Sequence, residues 1–167
     1  VLHRISYNEE IRAVANLTPE QAVAIASIQH LINDWGYELD VNNGLQIGNL
    51  VTEDCEYTVR GVLRKGRAAV EKFYRDRLEE FGQAGPPVQR HALSNLRVSF
   101  HSPTDAAITF TLVYFTTAGM ASGTNHADPA AVADVRMDVR RDADGHWRIA
   151  RFDSDQVFRR VPPSAPK

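Results

Sequence analysis

An aspartate, a histidine and a tyrosine are the residues here whose types suit proton transfer: Asp40, His91 and Tyr57. Asp40 closes a segment in which Ile25, Ile28, Leu31, Ile32, Trp35 and Leu39 recur at spacings of three and four. Such a stripe faces a core, so a carboxylate at its end looks toward the mouth of a cavity. His91 begins a stretch in which it alternates with Leu93 and Asn95, as on one face of a strand. Imidazole titrates near neutral pH, so it can take a proton as base and return it as acid. If the two met, the carboxylate would orient the ring and the ring would move the proton; spacing alone does not bring them together. Each also has a structural reading. Asp40 would be a solvent-facing acid at a helix end, and His91 a histidine bonded to a neighbouring strand or subunit.

Tyr37, Tyr57 and Tyr74 are candidates to line a pocket, since a phenol offers an apolar ring and a hydroxyl for a substrate oxygen. Trp35 is expected as a pocket or core wall, Asn95 as a group that could polarise a carbonyl, and Val59 as a further pocket residue on the strand of Tyr57. The commoner role of each is packing or the bonding of strand edges. The six histidines, His3, His30, His91, His101, His126 and His146, form no H-x-x-x-H or H-E-x-x-H pair, so no metal site is expected. No G-x-G-x-x-G or phosphate-loop motif occurs, and no cofactor is expected. Arg90, Arg97, Arg136, Arg140, Arg148 and Arg151 could suggest an anionic ligand; they lie among Asp134, Asp138 and Asp153, and the commoner pattern is a self-paired, solvated sheet face.

The elements that must hold these residues follow from local pattern. Thr18 can cap a helix, Pro19 suits its first position, and "NNG" at 42–44 ends it with an asparagine able to turn left-handed. "CEYTVRG" at 55–61 alternates as a strand. Gly66 opens a second helix, with Ala69, Phe73, Leu78 and Phe81 along one side and Val70 and Tyr74 beside them. After the breaker "GQAGPP" come four strand candidates, roughly 91–101, 106–115, 132–141 and 146–158, with "DADG" at 142–145 as a hairpin turn. "AGMASGTNHADPA" reads as a longer connection and "PPSAPK" as a peripheral tail. Helices gathered before a meandering sheet predict an α+β domain rather than a doubly wound one. We expect an extension at 1–17, one domain at 18–160 and a tail at 161–167.

The 167 residues suit one full-sized core, and a formal net charge of −2 asks for neither nucleic acid nor an anionic membrane. The lone cysteine, Cys55, excludes an intrachain disulfide and reads as a small buried hydrophobe. No run of eighteen apolar residues and no signal-peptide core are present, and a cytoplasmic location is expected.

Three stretches, "LINDWGYELDVNNGLQIGNLVTEDCEYTVRG", "GRAAVEKFY" and "HWRIARFDS", resemble the NTF2-like superfamily and within it the SnoaL-like proteins. The resemblance spans about residues 20–158. It implies a cone: a strongly curved antiparallel or mixed sheet wrapped around helices, with a central pocket. "WGYELD" and "VQRHALSN" resemble scytalone dehydratases, in which an aspartate ending the first helix and facing histidines perform acid–base dehydration. Asp40 and His91 match that aspartate and one histidine; the strand "AITFTLVYF" carries no second one. "QRHALSNLRV" is also similar to the small subunit of ring-hydroxylating dioxygenases, a non-catalytic support. Against steroid isomerases, the catalytic aspartate falls at about Val59 and the helix tyrosine at about Trp35.

These resemblances imply a cofactor-independent lyase or dehydratase acting on a small, apolar, oxygenated or aromatic substrate. Its catalytic residues would be His91, Asp40 and Tyr57. The alternatives are a non-catalytic dioxygenase subunit or ligand-binding module, and an isomerase or polyketide cyclase. A convex sheet face carrying apolar residues of the 106–115 strand would need cover, so a homodimer or homotrimer is expected.

Overall fold

The computed structural model describes residues 16–117 and 128–160; residues 1–15 of the expected extension, most of the 118–130 connection and the tail lie outside the described residues. Helix α1 (Pro19–Val41) starts as its sequence predicts. Thr18 Oγ1 accepts from Gln21 N at 3.2 Å, and Gln21 Oε1 accepts from Thr18 N at 3.0 Å, a reciprocal capping box with Pro19 at the first turn. It ends where Asn43 adopts φ 56°, the left-handed turn anticipated at "NNG". A 3-10 turn (Ile47–Asn49) leads into β1 (Val51–Val59), which begins earlier than expected.

A short strand, β2 (Val62–Lys65), has no counterpart in the sequence reading. Its signal was Arg60–Gly61, whose φ of 52° and 75° make the two-residue hairpin that pairs Val59 with Val62. Helix α2 (Arg67–Glu80) follows Gly66 and buries Val70 and Tyr74, whereas Ala69, Phe73 and Leu78 are only half-buried. The inward side is thus shifted from the expected one. The remaining strands are β3 (Val88–Phe100), β4 (Asp105–Thr117), β5 (Ala131–Arg141) and β6 (Trp147–Arg159). Gly145, at φ 86°, closes the β5–β6 hairpin.

The six strands form one sheet in the order β2-β1-β6-β5-β4-β3, with β1 parallel to β6 and every other pair antiparallel. This corrects the expected cone. The sheet is open, neither closed nor strongly curved, because its edges, the four-residue β2 and the long β3, stand at opposite ends and do not pair. A cleft of about 230 Å³ opens between α1 and the β3 side of the sheet. Helix α1 lies on β3 and β6, α2 lies on β1 and β2, and a buried apolar cluster lies between helices and sheet. Ile28, Ile32, Trp35, Tyr57, Ile108, Met137 and Ile149 are each almost wholly buried there.

One irregularity sets the face that β3 presents. Ser94 pairs with Thr111 and Arg97 with Thr109, so β3 carries one extra residue, and Asn95 sits in the bulge at φ 59°. Before the bulge the odd residues Gln89, His91 and Leu93 turn inward; after it the even residues Leu96, Val98 and Phe100 do. Asparagine tolerates the left-handed conformation better than a branched residue would.

Candidate active site

The C-terminal half of α1 lies antiparallel along the first half of β3. Gly36 lets the two approach: a Cβ built there would stand 3.3 Å from Leu93 Cδ1. One turn further on, Asp40 meets His91. Its Oδ1 lies 2.6 Å from His91 Nδ1, and its Oδ2 accepts the His91 backbone N–H at 2.9 Å. Both side chains keep only about a tenth of their surface, 10% for His91 and 9% for Asp40. A carboxylate engaged twice by one residue fixes the ring as well as the charge. With Nδ1–H donated to Asp40, a neutral imidazole carries its free lone pair on Nε2. Nε2 makes no hydrogen bond among the described residues. That is the arrangement of a proton carrier with an oriented base nitrogen.

The ring is boxed by aromatics. Trp35 meets it edge-on at 5.8 Å, and Tyr114, its neighbour across β3 and β4, lies over it at 4.9 Å. Tyr114 escaped the sequence reading; its signal was its place opposite His91 in an antiparallel hairpin. Gln89, also missed, is buried two residues before His91, and its amide is tied to Leu39, Tyr114 and Arg77.

The other expected site residues lie elsewhere. Tyr57 is wholly buried on the far side of Trp35, whose indole Nε1–H donates to its hydroxyl at 2.9 Å. Tyr57 stacks on Phe152 at 4.5 Å and shares a 2.9 Å hydrogen bond with Tyr74. Burial pushes both phenols up, Tyr57 well above its ordinary value and Tyr74 to about 12, so both are neutral at physiological pH. Tyr57 and Tyr74 are therefore core hydroxyls, with Trp35 between Tyr57 and His91. Tyr37 is exposed rather than pocket-lining, because it falls on the outer side of α1. Asn95, in the bulge, is exposed, and Val59 is half-buried at the β1–β2 turn. Asn95 does border a cleft of about 230 Å³ between α1 and the β3 bulge, with Gln29, Ile32, Leu93, Leu96 and Phe110. A second cleft of about 310 Å³ lies between the start of α1 and the β5–β6 hairpin. Neither is lined by Asp40 or His91.

Among the described residues no group of three or more histidine, cysteine or acidic side chains could hold a metal ion, and no helix is long and apolar enough to cross a membrane. Cys55 is buried, and burial pushes its thiol up to about 12.

A family model described as "SnoaL-like domain" matches residues 20–153. A putative scytalone dehydratase from Novosphingobium aromaticivorans superposes with a TM-score of 0.67 at 21% identity, over 90% of this chain and 100% of that one. An NTF2-like protein with a cystatin-like fold from the same organism gives 0.64 at 24% identity, over 89% and 92%. A type 2 hexachlorocyclohexane dehydrochlorinase gives 0.67 at 18% identity, over 87% and 98%. At these identities the likeness is one of fold. No curated protein sequence matches the chain significantly.

Proposed function

Because the chain belongs to the SnoaL-like domain family, which spans residues 20–153, we propose that it is a cofactor-independent lyase or dehydratase in which the Asp40–His91 pair moves a proton on a small apolar, oxygenated or aromatic substrate. The observation that carries this reading is the doubly bonded contact of Asp40 with a nine-tenths buried His91. His91 Nε2 would remove a proton from a carbon next to a carbonyl or aryl group. A hydroxide or halide on the adjacent carbon would then leave with its bonding electrons as the double bond forms, and a hydroxide would need a proton on departure. The imidazolium formed by that transfer, still bonded to Asp40 through Nδ1, is the donor at hand. Solved structures of similar fold include one named a putative scytalone dehydratase and one named a dehydrochlorinase, both elimination enzymes by title, which supports this reaction class.

The test surveys compound classes rather than a single substrate. Aromatic and alicyclic ketones, alcohols and halides are incubated with the protein in D₂O, and mass spectrometry follows solvent deuterium uptake and elimination product. His91→Gln should lower turnover by roughly 10²–10⁴-fold while circular dichroism stays unchanged. Full turnover in a folded His91→Gln variant, or no reaction of the wild type with any member, would overturn the reading. A second reading, a non-catalytic ligand-binding module or subunit, is favoured by one observation: neither cleft touches the pair. Binding without turnover in the same screen would select it.

A further inference from the structure

Asp40 and His91 lie 51 residues apart on two elements, so something besides their own contact must hold the end of α1 against β3. The last carbonyls of a helix lack intrahelical partners. Here the Asn42 and Gly44 N–H groups both turn back to Glu38 O, and no backbone N–H among the described residues answers Leu39 O. That carbonyl, one residue before Asp40, is taken instead by the side-chain amide of Gln89, two residues before His91, at 2.5 Å. The Gln89–Leu39 and His91–Asp40 bonds are thus adjacent rungs between the same two elements.

The other end of the amide is equally engaged. Gln89 Oε1 accepts from the Tyr114 hydroxyl at 3.0 Å and from Arg77 Nη2 at 3.2 Å. Tyr114 is the ring lying over His91, and Arg77 belongs to α2. One buried amide therefore ties together the helix that carries the carboxylate, the ring that covers the imidazole and the second helix.

We propose that Gln89 is a positioning residue for the Asp40–His91 pair: it holds the end of α1 and the Tyr114 ring so that His91 keeps its proton on Nδ1 and its lone pair on Nε2. Its importance for catalysis rests on the proton-transfer reading above; the orientation it imposes does not. Without Gln89 the carboxylate is carried by a helix end no longer bonded to β3, and the neutral imidazole redistributes its proton between its two nitrogens.

The experiment is long-range ¹H–¹⁵N correlation of the full chain labelled at histidine nitrogens, with His91 assigned by loss of its signals in His91→Gln. Wild type should show one neutral tautomer, Nδ1–H. Gln89→Met, close in shape but without hydrogen bonds, and Gln89→Glu, which keeps acceptors for Tyr114 and Arg77 but cannot donate to Leu39, should both show mixed tautomers while retaining a cooperative melt. Asp40→Asn is the positive control for loss of the single tautomer. A folded Gln89→Met or Gln89→Glu with the wild-type pattern would overturn the proposal. So would failure of both to fold, which would make Gln89 a determinant of folding instead. Once a substrate is known, Gln89→Met should lower kcat with KM little changed. Mixed tautomers in Gln89→Met alongside full turnover in His91→Gln would leave the positioning role standing and remove the catalytic one.

Discussion

The buried chain Trp35–Tyr57–Tyr74 offers a stability test whose magnitude can be worked from counting hydrogens. Both phenols are neutral at physiological pH, since burial raises both. The three groups carry three polar hydrogens, and the structure holds two hydrogen bonds among them. One hydroxyl hydrogen therefore has no protein acceptor among the described residues. Tyr74→Phe deletes one bond but leaves the count of unanswered hydrogens at one, now on Tyr57. Tyr57→Phe deletes both bonds and leaves two, the Trp35 indole N–H and the Tyr74 hydroxyl. A net hydrogen bond contributes about 0.5–1.5 kcal/mol, and orphaning a buried donor costs about 1–3 kcal/mol. Tyr74→Phe should thus cost about 1 kcal/mol and Tyr57→Phe about 2–4 kcal/mol. Urea unfolding followed by tryptophan fluorescence measures both, provided the m-value stays unchanged. A Tyr57→Phe variant no less stable than Tyr74→Phe would refute the counting, and with it the view that Tyr57 is a structural acceptor for Trp35.

Three further outcomes are expected. The Tyr74 phenol is raised by burial from an ordinary 10 to about 12, so the unfolded chain releases that proton first as pH rises. The stabilisation is complete below pH 10 and lost between 10 and about 12; urea midpoints should fall through that window, and the tyrosinate absorbance of Tyr57 and Tyr74 should appear at lower pH in the unfolded chain than in the folded one. Gly44→Ala drives a Cβ into the Tyr74 ring at φ +80°, whereas Gly61→Ala meets nothing within 4 Å at φ +75°. Gly61→Ala should therefore cost only the left-handed strain of about 1–2 kcal/mol and Gly44→Ala more, a ranking read from thermal melts. Cys55 is buried and its thiol raised to about 12, so iodoacetamide at mildly alkaline pH should label it only in denaturant; rapid labelling of the folded chain would contradict this.

What the sequence by itself determined was local. Thr18 and Pro19 start α1, Asn43 turns it off, "DADG" folds back β5 onto β6, and within an unbulged stretch of strand the alternation says which residues share a face. Those choices depend on backbone preferences and side-chain periods within a few residues, which a single chain displays openly. The SnoaL-like resemblance, carried by three such stretches, pointed to the family but overstated the sheet's curvature. Asp40 and His91 were legible as chemistry-bearing types; their contact was not. The parallel pairing of β1 with β6, the open edges of the sheet, the burial of Tyr57 behind Trp35 and the exposure of Tyr37 were decided only in three dimensions. The β3 bulge is the clearest case. Inserting Asn95 reverses the alternation in mid-strand, so His91 and Leu96 face the same side although period two would set them on opposite ones. Gln89 shows the same limit, because its value lies in meeting a helix-end carbonyl 50 residues away. Such meetings are set by which elements can pack together and satisfy their buried polar groups, a condition on the whole chain that no local spacing records.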